Sequence, residues 1–188
     1  MMRHALKGFL FLSVMVVVCA PAPAQADFYV NPWAGLNFGN AQLGTGVRTV
    51  GISVGSASAG FVGSEASIGY APGIFGSGAK NYLLDLMSGF TLGPTFGPVG
   101  RTVRPYGLGQ VGTIRTSIGS TSNAATLTRN DIAVSFGGGL TVDLNQRVAF
   151  RGDIRYLRSF NANGAPNTFN VDLSKFHYWR AAVGIAFY

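Results

Sequence analysis

Within residues 148–158, VAFRGDIRYLR, two kinds of side chain alternate through the central part of the segment. One set is apolar and the other charged: Val148, Phe150, Ile154 and Tyr156 against Arg151, Asp153 and Arg155. A period of two places successive side chains on opposite faces of a β-strand, whereas a helix would repeat every 3.6 residues. The segment therefore predicts a strand with one apolar and one charged face.

Seven other segments have comparable length and alternation. The eight predicted strands cover residues 28–39, 47–57, 61–71, 81–92, 103–116, 131–143, 147–158 and 177–188. On the fourth, Tyr82, Leu84 and Phe90 oppose Asn81 and Asp85. The sixth segment sorts in the same way, with even-numbered residues from Ile132 to Val142 on the apolar face. The chain is therefore predicted to be all-β.

The composition indicates what covers the apolar faces. Charged residues make up 11% of the chain, roughly half of the usual share, and mean hydropathy is positive. After residue 26 no apolar run approaches the roughly 20 residues that a transmembrane helix needs. Segments of about 10 alternating residues between turns are typical of outer-membrane barrels, whose outer face contacts lipid. We therefore predict an eight-stranded antiparallel, up-and-down transmembrane β-barrel.

The first 26 residues have the three-part layout of a secretory signal peptide. Arg3 and Lys7 precede an apolar run at residues 9–18, which is too short to span a membrane, and Ala24 and Ala26 flank Gln25. We expect cleavage before Asp27, leaving a single barrel domain at residues 27–188 without cysteine. A lipid anchor on Cys19 is the alternative.

Connection lengths and aromatic residues predict the orientation. The first, third, fifth and seventh connections have about 7, 9, 14 and 18 residues, against about 3, 10 and 3 for the others. The longer set should be extracellular, with both mature termini periplasmic. Outward aromatics should form two interfacial girdles: Tyr70, Tyr82, Tyr156 and Trp179 near the long connections, and Phe90, Tyr106, Phe150 and Phe187 near the short ones.

The stretch YGLGQVG at residues 106–112 has the glycine spacing of a dinucleotide-binding fingerprint. That fingerprint requires a helix after the glycines, but β-branched, alternating residues follow instead. A nucleotide site is therefore rejected. In a strand, the apolar residues Tyr106, Leu108 and Ile114 would point outward, and Gly107, Gly109, Thr113 and Arg115 inward. Gln110 would then face lipid, which a local bulge could repair.

Seven charged residues are predicted to face the interior: Glu65, Asp85, Asp153, Arg115, Arg151, Arg155 and Arg180. Buried charges are costly unless they are paired and hydrogen-bonded, and these residues could form an ionic network. Because an eight-stranded barrel has little space inside, such a network is expected to close the lumen. A narrow channel for small solutes is the alternative.

A lipid-modifying outer-membrane enzyme is the second alternative, but it has less support. His177 is the only histidine after residue 26, and it is predicted to face lipid near the start of the last strand. A lipid-modifying barrel would need a serine and a carboxylate beside it, but Lys175 and Trp179 occupy the positions two residues away, and Ser174 is three away. We expect no enzyme activity, no cofactor, no metal and no nucleic-acid partner.

Four stretches carry a resemblance: FVGSEASIGYAPGIFG, VRPYGLGQVGTIRT, VAFRGDIRYLRSF and FHYWRAAVGIAF. In them the chain resembles the small, porin-like outer-membrane barrels related to OmpA and OmpX. The resemblance implies insertion by the barrel assembly machinery, with Phe187 in the place of the family's terminal aromatic signal. Tyr188, one residue further, should be an overhang.

The surface is expected to meet two kinds of partner. Basic residues near the long connections, namely Arg48, Lys80, Arg129, Arg158 and Lys175, should contact the phosphates of lipopolysaccharide. The polar loops GSTSNAATLTRND and NANGAPNTFNVD are where an extracellular partner would bind, because binding sites concentrate on loops held by a rigid scaffold.

Overall fold

A computed structural model describes residues 26–39, 46–58, 62–74, 81–93, 103–119, 126–160 and 176–188. They form one closed barrel in which each strand pairs antiparallel with the next and β8 pairs with β1. The strands are β1 (Ala26–Phe38), β2 (Val47–Ser58), β3 (Val62–Pro72), β4 (Asn81–Leu92), β5 (Val103–Gly119), β6 (Thr126–Asp143), β7 (Val148–Phe160) and β8 (His177–Phe187). No helix in these ranges is long and apolar enough to cross a membrane.

The eight predicted strands are confirmed, with the largest differences at β5 and β6. The predicted loop at residues 119–131 is partly strand, since β5 continues to Gly119 and β6 begins at Thr126. These two strands have 17 and 18 residues, whereas the other six have 11 to 13. The predicted signal peptide, apart from Ala26, and the loop at residues 161–172 lie outside the described residues.

Side chains alternate between a buried inner face and an outer face along the strands. On β7, Arg151, Asp153 and Arg155 are buried, while Phe150 and Ile154 are exposed on the outside. The predicted faces of β4, β6, β7 and β8 are confirmed by the same alternation. The outer face is apolar over most of its height, as a lipid-covered surface requires.

The predicted facing of β5 is wrong, because every residue of this strand points the other way. Leu108, Gln110 and Ile114 are buried inside, whereas Arg115 is exposed on the outside. Tyr106 also points inward, so it is not part of the aromatic girdle predicted near the short connections. Gly107, Gly109 and Thr113 point outward instead of inward. β5 keeps one continuous register with β4 and with β6, so no bulge repairs the position of Gln110.

The interior is layered from one end of the barrel to the other. We call the end that carries the first, third, fifth and seventh connections the loop end, and the opposite end the turn end. Ten buried side chains pack together toward the loop end: Val47, Ala71, Ile74, Leu83, Met87, Ile114, Ala133, Leu157, Phe176 and Tyr178. This apolar plug explains why β5 presents Ile114 to the interior. The turn end is filled by Tyr29, Ala149 and Ala186, against which Tyr188 packs.

Candidate functional site

Glu65 on β3 is the centre of a buried ionic network in the half of the barrel nearer the turn end. Its carboxylate is fully buried and pairs with Arg151 and, at 3.0 Å, with Arg155. The hydroxyl of Tyr29 donates a hydrogen bond of 2.7 Å to the same carboxylate, and the Gln110 amide nitrogen lies 3.4 Å from it. This contact with Glu65 explains why Gln110 points into the barrel instead of toward lipid.

Asp153 on β7 completes this network. It receives two hydrogen bonds from Arg155, of 2.6 and 2.8 Å, and one of 2.8 Å from the hydroxyl of Tyr106. Arg151 donates a 2.7 Å hydrogen bond to the Tyr106 oxygen, and its guanidinium lies 4.2 Å from the centre of the Tyr106 ring. Two carboxylates and two guanidinium groups therefore neutralise each other here, and two tyrosines join them across the lumen.

A second buried pair lies between this network and the apolar plug. Arg180 on β8 donates hydrogen bonds of 3.1 and 2.6 Å to the two carboxylate oxygens of Asp85 on β4. Its Nε donates to Asn37 at 3.0 Å, and the guanidinium lies 5.0 Å from the centre of the Trp33 ring. Because β4 and β8 are not neighbours in the sheet, this bidentate pair bridges the lumen.

A glycine on β3 makes room for that bridge. A Cβ atom at Gly69 would lie 2.6 Å from an oxygen of Asp85 and 2.9 Å from a nitrogen of Arg180. Gly55 on β2 has the same role beside Tyr29, whose hydroxyl would lie 2.7 Å from an added Cβ. Inward glycines thus relieve crowding as predicted, but at other positions, since Gly107 and Gly109 are exposed on the outside.

Further ion pairs lie at the two ends of the barrel. Arg104 and Asp143 pair at 2.6 Å at the turn end, and Arg129 and Asp131 at 2.8 Å toward the loop end. Tyr188 accepts a hydrogen bond from Arg104, its backbone nitrogen donates to the carbonyl of Arg147, and burial raises the pKa of its hydroxyl above the usual value. The expectation that Tyr188 is an overhang is therefore wrong.

The charges inside the barrel balance. Six of the seven predicted interior charges are buried and paired with one another, namely Glu65, Asp85, Asp153, Arg151, Arg155 and Arg180. Arg115 was predicted to join them, but it is exposed on the outer face because β5 has the opposite facing. Without Arg115, the interior set consists of three acids and three arginines, which is the electroneutral arrangement that a low-dielectric interior favours. The ionic network, the plug and the tyrosines together close the lumen.

Three further arginines lie on the outer face of the strands, and Arg147 is exposed in the turn between β6 and β7. Arg48, Arg115 and Arg158 are exposed on the outer face, each near the loop end of its strand. Among the side chains that the structure describes, no carboxylate faces outward. Aromatic pairs lie near the same level, with the rings of Tyr70 and Tyr82 at 5.9 Å. This outer rim is therefore cationic and aromatic.

His177 lies within this rim and is exposed. Its ring centre is 5.9 Å from that of Tyr156, and in the register of β7 and β8 it lies opposite Arg158. Ser174 and Lys175 are outside the described residues. Within the described ranges, the strand neighbours of His177 supply an arginine and aromatic rings.

Some network members were not predicted. Tyr29, Tyr106, Gln110 and Asn37 contact the interior charges, but in the sequence they read as girdle, lipid-facing or unremarkable residues. One signal was available in Gln110, because an amide facing lipid conflicts with the rest of the pattern. The excess of one arginine in the predicted network was a second signal.

Comparisons with known proteins agree with this architecture. Residues 10–187 match the family described as outer membrane protein beta-barrel domain. The structure is similar to Neisserial surface protein A, with 15% identity, a TM-score of 0.64, and coverage of 86% of this chain and 97% of that one. It is also similar to Ail, the attachment invasion locus protein of Yersinia pestis, with 16% identity, a TM-score of 0.51, and coverage of 86% and 96%.

A further structure of Ail, in complex with the heparin analogue sucrose octasulfate, has 11% identity and a TM-score of 0.51, with coverage of 87% of this chain and 98% of that one. No curated protein sequence matches this chain significantly.

Proposed function

Since this chain belongs to the outer membrane protein β-barrel family, we propose that it is a closed barrel with a structural or surface-interaction role in the outer membrane of a Gram-negative bacterium. One observation carries the proposal. The lumen is crossed by the Arg180–Asp85 bridge and by the network around Glu65, between an apolar plug and a tyrosine-lined turn end. A path for hydrated solutes would require these buried charges to separate.

We further propose that the loop end faces the cell exterior and that both mature termini are periplasmic. The distribution of charge supports this orientation, because Arg48, Arg115 and Arg158 lie at the loop end of the outer face. There they would meet the phosphates of lipopolysaccharide in the outer leaflet. The signal peptide at residues 1–26 and the barrel domain at 27–188 belong to the same proposal.

Two kinds of partner are part of this role. Insertion would use the barrel assembly machinery, with Phe187 as the terminal aromatic; its side chain is exposed on the outer face of β8. An extracellular partner would bind the loops. Ail has been crystallised with a heparin analogue, and this makes sulfated glycans a reasonable first class of ligand to test. We propose no catalytic role, because Lys175 and Trp179 occupy the positions two residues from His177 in the sequence.

Single-channel recording tests the closed barrel directly. The refolded protein, with folding verified by heat-dependent gel mobility, is added to a planar bilayer at neutral pH beside an open porin as positive control. We expect no stable unitary currents. Steady currents from the folded protein would overturn the proposal and support the narrow channel.

A further inference from the structure

On the outer face of β7 and β8, the chemical type of the side chains changes from the loop end toward the turn end. Arg158 and His177 are opposite each other in the register nearest the loop end, and Tyr156 and Trp179 form the next outward pair. The pair below is Ile154 with Ala181. The order from the loop end is therefore cationic or polar, then aromatic, then aliphatic.

The aromatic level is a connected surface. The ring of Tyr156 lies 5.2 Å from that of Trp179 and 5.0 Å from that of Phe136 on β6. Trp179 is 40% exposed, so its face is open to a ligand in the membrane. Above it, the guanidinium of Arg158 lies 5.5 Å from the centre of the Phe160 ring. The arginine is thus held beside an aromatic ring near the loop end of β7.

Below the aromatic level, each outward pair of β7 and β8 combines one small and one aliphatic residue, Ile154 with Ala181 and then Gly152 with Val183. Gly152 is opposite Val183 in the register, and a Cβ added to Gly152 would meet nothing closer than 3.8 Å. Ala181, between Trp179 and Val183, is also small. A hydrocarbon chain could therefore lie over Gly152 and Ala181, in contact with the exposed side chains of Ile154 and Val183.

We propose that this face, defined by Arg158, His177, Tyr156, Trp179 and Gly152, is a binding site for one lipopolysaccharide molecule. Arg158 binds a phosphate of the lipid A headgroup, and Tyr156 and Trp179 pack against its sugar. An acyl chain lies on the outer surface over Gly152. Charge complementarity favours this occupant, since arginine recognises phosphate through charge-assisted hydrogen bonds and no described carboxylate faces outward to oppose it. The site rests on the proposed orientation, with the loop end in the outer leaflet.

The rim supplies a matched control. Arg48 on β2 is also an exposed outward arginine near the loop end, and its register partner on β1 is Leu36. β1 and β8 lie between β2 and β7 in the closed barrel, so Arg48 is three strands away from Arg158. If arginines act only as diffuse counter-charges, Arg158 and Arg48 should matter equally. If β7 and β8 form a site, only Arg158 should matter.

The experiment is a titration of refolded protein in micelles with bisphosphorylated Kdo2-lipid A, followed by the fluorescence of Trp179. The chain has two tryptophans, and Trp33→Phe removes the buried one. Native mass spectrometry of the protein that retains Trp33 measures the same binding independently. The comparison probes are the dephosphorylated lipid and phosphatidylglycerol. Heat-dependent gel mobility verifies that each variant is folded.

We expect saturable binding that Arg158→Gln weakens by about ten-fold or more, as loss of a charge-assisted contact predicts. Arg48→Gln should change it by less than about two-fold, and both comparison probes should bind more weakly. Equal effects of the two variants, or equal binding of the dephosphorylated lipid or phosphatidylglycerol, would overturn the site. Such a result would leave the closed barrel intact, whereas unitary currents would refute the closed barrel without bearing on Arg158.

Discussion

Replacement of Glu65 by alanine should destabilise the barrel more than removal of any carboxylate at its ends. Glu65 is fully buried and pairs with both Arg151 and Arg155. Without it, Asp153 is the only carboxylate in that network left to neutralise two buried guanidinium groups. Removal of one partner from a buried ion pair typically costs about 3 to 5 kcal/mol, because the other charge is left uncompensated. We expect a loss of that size in the free energy of unfolding.

The assay is equilibrium unfolding in urea of protein folded into phospholipid bilayers, monitored by tryptophan fluorescence and gel mobility. Asp143→Ala is the matched control. It also removes a carboxylate from an arginine pair, but the side chains of Arg104 and Asp143 are 20% and 19% exposed. A partly solvated pair of this kind contributes at most about 1 kcal/mol. If Glu65→Ala cost no more than Asp143→Ala, the interior network would not be the stabilising feature that its geometry indicates.

Two further predictions use paired variants. Gly69→Ala should lower the free energy of unfolding by about 1 to 3 kcal/mol, because the added methyl meets the Asp85–Arg180 bridge. Gly109→Ala, with open space around it, should change it by less than about 0.5 kcal/mol. The reverse order in urea unfolding would indicate that Gly109 points into the barrel. Phe187→Ala should sharply lower the amount of the protein in the outer membrane, measured by quantitative immunoblots of fractionated cells. Deletion of Tyr188 should preserve assembly but lower the free energy of unfolding by about 1 kcal/mol, because the hydrogen bond from Arg104 is lost. Loss of assembly only on deletion of Tyr188 would assign the signal to that residue.

The strands were predictable because alternation is a local property of the sequence. A lipid-covered exterior forces every second residue of a spanning strand to be apolar, and the bounds of β4 and β7 follow closely. The facing of β5 was not predictable from the same rule. Its apolar residues Leu108 and Ile114 pack inside, and glycines occupy part of its lipid face.

The interior charges were predictable as a set, but their partners were not. Parity alone places Glu65, Asp85 and Arg180 inside, since each lies on a strand with a clear apolar face. Which arginine meets which acid depends on the positions of strands that are not neighbours in the sheet, as the β4–β8 bridge illustrates. Such contacts are long-range and leave no periodic trace in the chain. The roles of Tyr29 and Tyr106 remained hidden for the same reason.

The separation of paired charges inside from single arginines outside has a consequence for how sequences of this kind can diverge. Loss of Asp85 alone would leave Arg180 buried without a counter-charge, so positions 85 and 180 should change together among related chains. The positions of the Glu65 network should likewise change as a group. Arg48 and Arg115 have no such partner among the described residues, and each can be replaced independently. Covariation within an alignment of relatives should therefore concentrate on pairs of strands that face each other across the lumen.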